Sequence, residues 1–342
     1  MAYYVEAILL GILQGIAEFL PISSDGHLAV FGKLLGEWLG TGSINPEDDN
    51  RLFLMVIVLH LGSLATLLVV YWKDLLGLLQ RPRLLGWIVL STLVTGVLAI
   101  GFKKAFRDMF NSPTIAALGW LVTAGFLWWA DRIRGTTLTL DEMGWKQAVG
   151  VGLLQALAPA PGVSRSGTTI TAGLLTGLSG ADATRYSFLI AIPAITGAVV
   201  LEVVKPWMGM LLKGQSAAEA FPGVVLNSTT IPPLIVGAVV SFLVGLVCLR
   251  WLIAFVVQRS LRSFIIYLVV MAGLTLAWQF FAPGLFVTAC VVDAGRVGRG
   301  PWGGDRGRVG RPRAISFPGS RGIPGAGRRS RGRRGGRCGR RR

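Results

Sequence analysis

Long apolar runs, separated by short polar ones, fill most of the sequence. A helix needs about 20 mostly apolar residues to cross a bilayer, because the hydrocarbon core is about 30 Å thick and each residue rises about 1.5 Å. Six runs meet this requirement: residues 52–72, 84–102, 114–130, 187–204, 231–257 and 263–281. Tryptophans near their ends are typical of membrane interfaces. The pattern therefore predicts an all-α polytopic membrane protein with about six transmembrane helices.

Two further apolar runs, residues 6–28 and 147–178, are each interrupted in the middle. The interruptions read LPISSDGH, from residue 20, and PAPGVSRSGTT, from residue 159. Proline removes a backbone donor and glycine costs about 1 kcal/mol relative to alanine, so neither run favours an unbroken helix. Irregular backbone at membrane depth is tolerated only where protein or water covers it. We therefore predict two re-entrant helix–loop–helix pairs.

The two broken runs also resemble each other. At an offset of 141 residues, six positions of the first run match identical residues of the second: Gly11, Leu13, Gln14, Ala17, Ser23 and Gly26 correspond to Gly152, Leu154, Gln155, Ala158, Ser164 and Gly167. Corresponding broken segments in two halves are typical of an internal repeat whose interface holds a binding site. The alternative interpretation is two unrelated loops rich in glycine and proline.

The first broken run carries polar groups that are costly inside a membrane and are therefore functional candidates. Gln14 and Glu18 are four residues apart, which places them on one face of a helix. That helix leads into Ser23, Ser24 and His27. Such a cluster favours a functional site. The alternative is that Glu18 caps a neighbouring helix and His27 lies at the membrane interface.

The second broken run has the composition of an anion site. Small residues let the backbone approach a ligand, and the half-helix that follows directs free N–H groups towards it. Arg165 adds a planar guanidinium suited to bidentate contacts with phosphate. The residues expected to bind substrate are Ser23, Ser164, Ser166, Gly167 and Thr169. The alternative is a simple turn whose arginine reaches the membrane interface.

Together the two runs fit a diphosphate attached to a lipid, with its head group at Arg165 and its tail among apolar helices. Glu18 with Gln14 is a candidate site for a divalent cation, Mg²⁺ or Ca²⁺, because such ions prefer oxygen ligands. The cation and Arg165 would stabilise charge on the transferring phosphoryl group. Ser24, or water, is the candidate nucleophile, with His27 as general acid and base.

Charge divides the chain into two parts. Only 15% of its residues are charged, against about 25% in soluble domains, yet the formal net charge is +17. Residues 291–342 contribute most of it, with 16 arginines and two aspartates. The sequence predicts a membrane domain over 1–282 and a disordered Arg/Gly-rich tail over 283–342. Alternatives for the tail are an anionic-lipid tether or a nucleic-acid-binding segment. We expect a dispensable extension and no nucleic-acid partner.

Three motifs resemble a known family. QGIAEFLPISSDGH at 14–27, PGVSRSGTT at 161–169 and RYSFLIAIP at 185–193 are similar to motifs of the bacterial undecaprenyl-diphosphate phosphatases of the bacitracin-resistance type. The similarity covers roughly residues 1–282. It implies a multi-pass enzyme of the inner (plasma) membrane, built from inverted repeats, that removes the terminal phosphate of undecaprenyl diphosphate. The product, undecaprenyl phosphate, is the lipid carrier reused in peptidoglycan synthesis.

The resemblance also implies residue roles and a divalent cation. The principal catalytic residues would be Glu18, Ser24, His27 and Arg165, with Ser24, His27 or water as the attacking group. Supporting residues would be Ser23, Ser164 and Thr169. The family often has a second acidic residue where this chain has Gln14. Because an amide cannot act as a base, more depends on Glu18 here.

A secondary transporter or lipid flippase is the alternative from another class, because it shares the repeat and the broken helices but needs no nucleophile. The chemical groups of the two broken runs exceed what substrate binding requires, which favours the enzyme. His60, inside the first predicted span, is as consistent with helix packing as with a site role. A homodimer is a further hypothesis. The basic loop at 73–83 weakly favours a cytoplasmic position for that loop.

Overall fold

The computed structural model describes residues 1–41, 50–102, 109, 112–133, 135–213, 231–258 and 260–281. Within these ranges it consists of eleven helices and one isolated bridge between Leu138 and Leu178. The helices are α1 (Ala2–Ala17), α2 (Ser24–Leu39), α3 (Asn50–Val70), α4 (Trp72–Leu78), α5 (Pro82–Gly101), α6 (Pro113–Arg132), α7 (Trp145–Gln155), α8 (Arg165–Leu175), α9 (Gly180–Lys213), α10 (Ile231–Gln258) and α11 (Arg262–Phe281). The tail predicted over 283–342 lies outside the described residues.

Among the described helices, α5, α6, α9, α10 and α11 are each long and apolar enough to cross a membrane. A sixth span is obtained if α3 and α4 are counted together, although the two are bent by 70°. The prediction of an all-α polytopic membrane protein with about six spans is therefore confirmed.

The first span differs from its prediction, because the run 52–72 does not continue as a straight helix. The chain turns at Tyr71, whose side chain is buried and packs against Phe188. Directly after the turn, Asp74 forms an ion pair with Arg185 of α9. The contacts of Tyr71 and Asp74 with α9 hold α4 at an angle to α3, which hydropathy alone does not reveal.

Both broken runs fold as helix–loop–helix units, as predicted: the first is α1–loop–α2 and the second is α7–loop–α8. In each unit a serine caps the second helix. The Ser23 Oγ accepts a hydrogen bond from the Gly26 N–H at 3.3 Å, and the Ser164 Oγ accepts one from the Gly167 N–H at 3.1 Å. These positions correspond at the offset of 141, so the two units share their capping structure. The inverted orientation of the repeat stays a prediction.

Small residues allow α1 to pack closely on α10. A Cβ built on Gly15 would lie 2.8 Å from the Ser241 carbonyl oxygen and 2.8 Å from the Val244 Cβ. In membranes, small residues at helix crossings bring backbones together, since lipid provides no hydrophobic driving force for helix association. The position of α1, and therefore of the loop that follows it, depends on this contact.

We expect Gly15→Ala to lower the stability of the folded protein by about 1–3 kcal/mol, because the added methyl overpacks the contact between α1 and α10. Gly125→Ala in α6 is the matched control, since no atom lies within 4 Å of a Cβ at that position. It should be neutral or stabilise the helix by up to about 1 kcal/mol. Thermal unfolding in detergent measures both changes, and equal melting temperatures for the two variants would contradict the packing argument.

Candidate active site

A cavity of about 410 Å³ lies between the two broken runs, bordered also by α3, α5 and α9. Both broken runs and α3 contribute polar groups to its wall. The main ones are Glu18, Ser24, Asp25, His60, Gln155 and Arg165. The cavity therefore contains groups of both charges, a hydroxyl and an imidazole, inside a chain that is otherwise apolar.

Glu18 joins the two broken runs. Its Oε2 accepts hydrogen bonds from the Ser24 Oγ at 2.7 Å and the Gln14 Nε2 at 3.1 Å. Its Oε1 accepts from the Arg165 Nη2 at 2.8 Å. Glu18 is only 8% exposed, and a buried carboxylate requires such partners to offset its lost hydration. Gln14 and Glu18 thus share a helix face as predicted, and the carboxylate faces the second loop.

The first loop has a conformation that is unusual for its sequence. Ser23 has a φ of 70°, the one positive φ of a non-glycine residue in the described part of the chain. This left-handed region is costly for most side chains, so surrounding contacts must hold the residue there. The Ser23 carbonyl oxygen lies 2.7 Å from the His27 Nδ1. Ser24 follows immediately, and the loop conformation therefore decides where its hydroxyl lies.

The second loop is held from α6. The Thr123 Oγ1 donates to the Gly162 carbonyl oxygen at 2.9 Å and accepts from the Ser164 N–H at 2.9 Å. Gly162 itself has a φ of 82° and lies against the backbone of α6 at Ala116, where a Cβ could not fit. One threonine side chain therefore fixes the turn that precedes Arg165.

The two loops touch at a pair of glycines. A Cβ built on Gly26 would lie 2.8 Å from the Gly162 Cα. Beside this contact, the Ser166 Oγ donates to the Leu20 carbonyl oxygen at 3.1 Å. The close approach brings Arg165 within reach of Glu18, which lies 147 residues away in sequence.

The structure brings together most of the predicted site residues. Lining the cavity are Glu18, Ser23, Ser24, Ser164 and Arg165. Gln14 lies behind Glu18 and contacts it. Ser166, Gly167 and Thr169, in contrast, are buried in α8 away from the cavity wall. For these three, the expected contact with substrate stays a prediction. They hold the second loop, as when the Thr169 Oγ1 donates to the Arg165 carbonyl oxygen at 2.7 Å.

His27, the predicted general acid and base, does not line the cavity. Its ring is fully buried behind the first loop, beside Trp120 and Tyr267. Both ring nitrogens have partners at 2.7 Å, the Ser23 carbonyl oxygen and the Tyr267 hydroxyl. The role in proton transfer stays a prediction.

His60, which the sequence left open between packing and a site role, lines the cavity in place of His27. Its Nδ1–H donates to the Val56 carbonyl oxygen at 2.8 Å. Its Nε2 lies 3.6 Å from the Glu18 Oε2 and 3.8 Å from the Asp25 Oδ1. Asp25 also lines the cavity. It was not among the predicted site residues, although it stands within the first motif.

Gln155 was also missed as a site residue. It lines the cavity, and its Nε2 donates to the Thr95 Oγ1 at 2.9 Å. The signal was present in the repeat, because Gln155 corresponds to Gln14 at the offset of 141. Two positions that match across a repeat interface should have been expected on opposite sides of the same site.

The expected cation site on Glu18 and Gln14 does not fit the geometry. Both oxygens of Glu18 already accept hydrogen bonds, and Gln14 directs its amide nitrogen, not its oxygen, at the carboxylate. The described residues also contain no group of three or more His, Cys, Asp or Glu side chains that could hold a metal. No step of the chemistry below is therefore assigned to a cation bound by this pair.

Arg165 supplies an unsatisfied donor. Its Nη2 contacts Glu18, whereas its Nη1 is buried and has no hydrogen-bond partner among the described residues. A buried donor left unpaired is costly, so a site that keeps one is suited to an acceptor that arrives with a ligand. An oxygen of a phosphate group is such an acceptor.

A helical membrane protein with a buried Arg–Glu–Ser site between two broken helices has the layout of an enzyme that acts on an anionic lipid. The sequence agrees with the family model described as "Bacitracin resistance protein BacA" over residues 7–274. The chain belongs to this family.

Curated relatives are similar over most of their length. A protein named undecaprenyl-diphosphatase from Rhodopirellula baltica is 40% identical over 275 residues, covering 80% of this chain and 97% of the relative. Another of that name from Alkaliphilus metalliredigens is 38% identical over 282 residues, covering 77% and 94%. A third, from Desulfatibacillum aliphaticivorans, is 35% identical over 289 residues, covering 78% and 95%.

We expect Thr123→Val to destabilise the protein by about 2–4 kcal/mol, because it leaves the Gly162 carbonyl and the Ser164 N–H without their partner. Thr123→Ser keeps the hydroxyl and removes one methyl, so its cost should be about 1 kcal/mol. Thermal unfolding in detergent compares the two variants. A valine variant as stable as the serine variant would show that α6 does not hold the second loop in this way.

Proposed function

We propose that this protein hydrolyses undecaprenyl diphosphate to undecaprenyl phosphate and inorganic phosphate. The observation that carries the proposal is the buried chain of contacts Arg165–Glu18–Ser24, which places an anion-binding group, a base and a hydroxyl in one cavity. The names of the relatives support the substrate.

The diphosphate would bind at the facing starts of α2 and α8. The first N–H groups of a helix lack intrahelical partners and favour anions. Ser23 and Ser164 each satisfy one such group, at Gly26 and at Gly167. The free Nη1 of Arg165 adds a charged donor.

The lipid tail would leave the cavity along α9 and α5. Their part of the wall is apolar and made of small or aliphatic residues: Ala99, Ile100, Pro193, Ala194, Ala198 and Leu201. The polar and the apolar parts of the cavity wall lie side by side, and this suits a ligand that is charged at one end only.

In the reaction we assign, the Ser24 Oγ attacks the terminal phosphorus while its proton passes to the Glu18 Oε2, 2.7 Å away. The bond from that phosphorus to the bridging oxygen breaks, and undecaprenyl phosphate leaves. Water then attacks the phosphoserine, the bond between phosphorus and the Ser24 Oγ breaks, and the proton on Glu18 returns to that Oγ. Inorganic phosphate is released with the oxygen and both hydrogens of the water. Arg165 stabilises the phosphoryl oxygens, and this is commonly the largest contribution to such a transfer.

The remaining expectations concern the cell. The chain is an integral membrane protein, and we propose the inner (plasma) membrane as its location, because the lipid carrier is reused there for peptidoglycan synthesis. Regenerating the carrier would counter bacitracin and so confer resistance. A homodimer stays a hypothesis. A transporter or flippase is not favoured, because transport explains neither the hydrogen bond between Ser24 and Glu18 nor the enzyme names of the relatives.

We expect the purified protein to release phosphate from undecaprenyl diphosphate in detergent. We also propose that a divalent cation is required and is held chiefly by the oxygens of the diphosphate rather than by the Glu18–Gln14 pair, so that a chelator should stop release and Mg²⁺ or Ca²⁺ should restore it. Release unaffected by chelator would refute the cation requirement alone. No release with any divalent cation, from protein shown to be folded by thermal unfolding, would overturn the proposed function.

Arg165→Lys should lower kcat about 100-fold or more, because the three donors of an ammonium group share one nitrogen and cannot reach the two separate positions that the planar guanidinium serves through Nη1 and Nη2. The matched control is Arg262→Lys, at an arginine whose side chain is 81% exposed and pairs with Asp131. That variant should hydrolyse undecaprenyl diphosphate within about twofold of the unsubstituted protein. Equal activities for the two lysine variants would show that Arg165 does not take part in the reaction.

A further inference from the structure

His27 needs an explanation, because it is buried and polar, stands in the first motif and yet does not reach the cavity. Its ring centroid lies 5.6 Å from that of Tyr267, a residue of α11 that belongs to none of the three motifs. The Tyr267 hydroxyl is 2.7 Å from the His27 Nε2. A helix 240 residues further along the chain therefore reaches the back of the first loop.

The partners of the ring decide where its hydrogen lies. A carbonyl oxygen can only accept, so the Nδ1 that faces the Ser23 carbonyl must carry the hydrogen and donate it. In the neutral ring, Nε2 then has a lone pair, which accepts from the Tyr267 hydroxyl. The Ser23 carbonyl therefore selects the Nδ1–H tautomer, and the Tyr267 hydroxyl, which can donate or accept, holds the ring with Nδ1 turned towards Ser23.

The bond to Ser23 matters because that residue has its φ at 70°. The adjacent residue, Ser24, places its hydroxyl 2.7 Å from Glu18. The Ser23 carbonyl also accepts from the His27 backbone N–H, at 3.3 Å. If it loses the shorter of the two hydrogen bonds, from the ring, the backbone is held less firmly and can relax towards ordinary φ values, and the Ser24 hydroxyl moves with it. A shift of about 1 Å in a reacting group is enough to slow an enzyme about 100-fold.

We propose that Tyr267 is a positioning residue for the hydrolysis assigned above. It holds the His27 ring with Nδ1 facing Ser23, and this ring in turn helps to hold Ser23 in the conformation that directs Ser24 at Glu18. Neither Tyr267 nor His27 touches substrate or gains a proton from it. This inference rests on the proposed function for its effect on rate, but its hydrogen-bond arrangement stands independently.

Two substitutions of His27 separate positioning from proton transfer. The amide nitrogen of asparagine can occupy the place of Nδ1, whereas that of glutamine reaches the place of Nε2. His27→Asn should therefore keep at least about a tenth of kcat by still donating to Ser23, and His27→Gln should lose about 100-fold. If asparagine and glutamine variants of equal thermal stability were equally inactive, His27 would be acting by proton transfer and the proposal would fail.

Tyr267→Phe should lower kcat about 3–10-fold and leave KM within twofold, because the His27 ring loses the hydroxyl that orients it while the substrate contacts are unchanged. Tyr4→Phe is the matched control, at an exposed tyrosine of α1, and should not change either constant. Wild-type kcat in Tyr267→Phe would overturn the role of its hydroxyl. If Tyr267→Phe did not fold, the comparison of the two His27 variants would decide.

A measurement without substrate tests the arrangement itself. The chain has two histidines, so ring-¹⁵N-labelled protein in bilayers gives two sets of signals, which a His60→Gln variant assigns. We expect His27 to carry its hydrogen on Nδ1, and its Nε2 resonance to move in Tyr267→Phe. Hydrogen on Nε2 would overturn the proposal. Because this readout does not require activity, it distinguishes failure of the positioning unit from failure of the proposed function.

Discussion

The contact between Glu18 and Arg165 is the interaction on which the site depends. It joins two loops that lie in different halves of the chain, at 2.8 Å and almost out of contact with water. Removing either partner would leave the other buried with its charge uncompensated, which is strongly unfavourable. The pair is therefore maintained by its surroundings: the Gly26–Gly162 contact brings the loops together, and Thr123 and His27 hold each loop from behind.

The same ion pair leaves a donor for a ligand, because Glu18 accepts from the Nη2 of Arg165 and not from its Nη1. A fully satisfied ion pair would contribute to folding alone, whereas this one retains a buried donor beside the cavity. A phosphate that binds there completes the hydrogen bonding of the site. The protein thereby carries a local cost in the free state that substrate binding offsets.

Hydropathy and local chemistry made the architecture predictable, because membrane spans and broken helices follow from composition that can be read one segment at a time. The pairing of Gln14 with Glu18 was also predictable, since helical spacing is a local property. The direction of His27 was not. Residues 23–27 include a serine with a positive φ, and the partner that decides the ring's position, Tyr267, is 240 residues away and lies in an ordinary apolar helix.

The place of His60 in the site was also not predictable from the sequence. In the sequence it is one polar residue inside an apolar span, and nothing near it indicates a site. Its role depends on which face of α3 turns towards Glu18 and Asp25, and helix packing across the whole fold decides that face. Its place in the first motif made His27 the predicted histidine of the site. In the structure, His60 is the histidine that lines the cavity.

The matched serine caps at Ser23 and Ser164 have a consequence for how the site is assembled. Each cap is followed by one decisive residue, Ser24 in the first half and Arg165 in the second, at corresponding positions of the repeat. The two halves therefore share a capping structure but differ in the residue that follows it, a hydroxyl in one and a positive charge in the other. Neither loop alone holds both groups, so the site is complete only where the two loops meet.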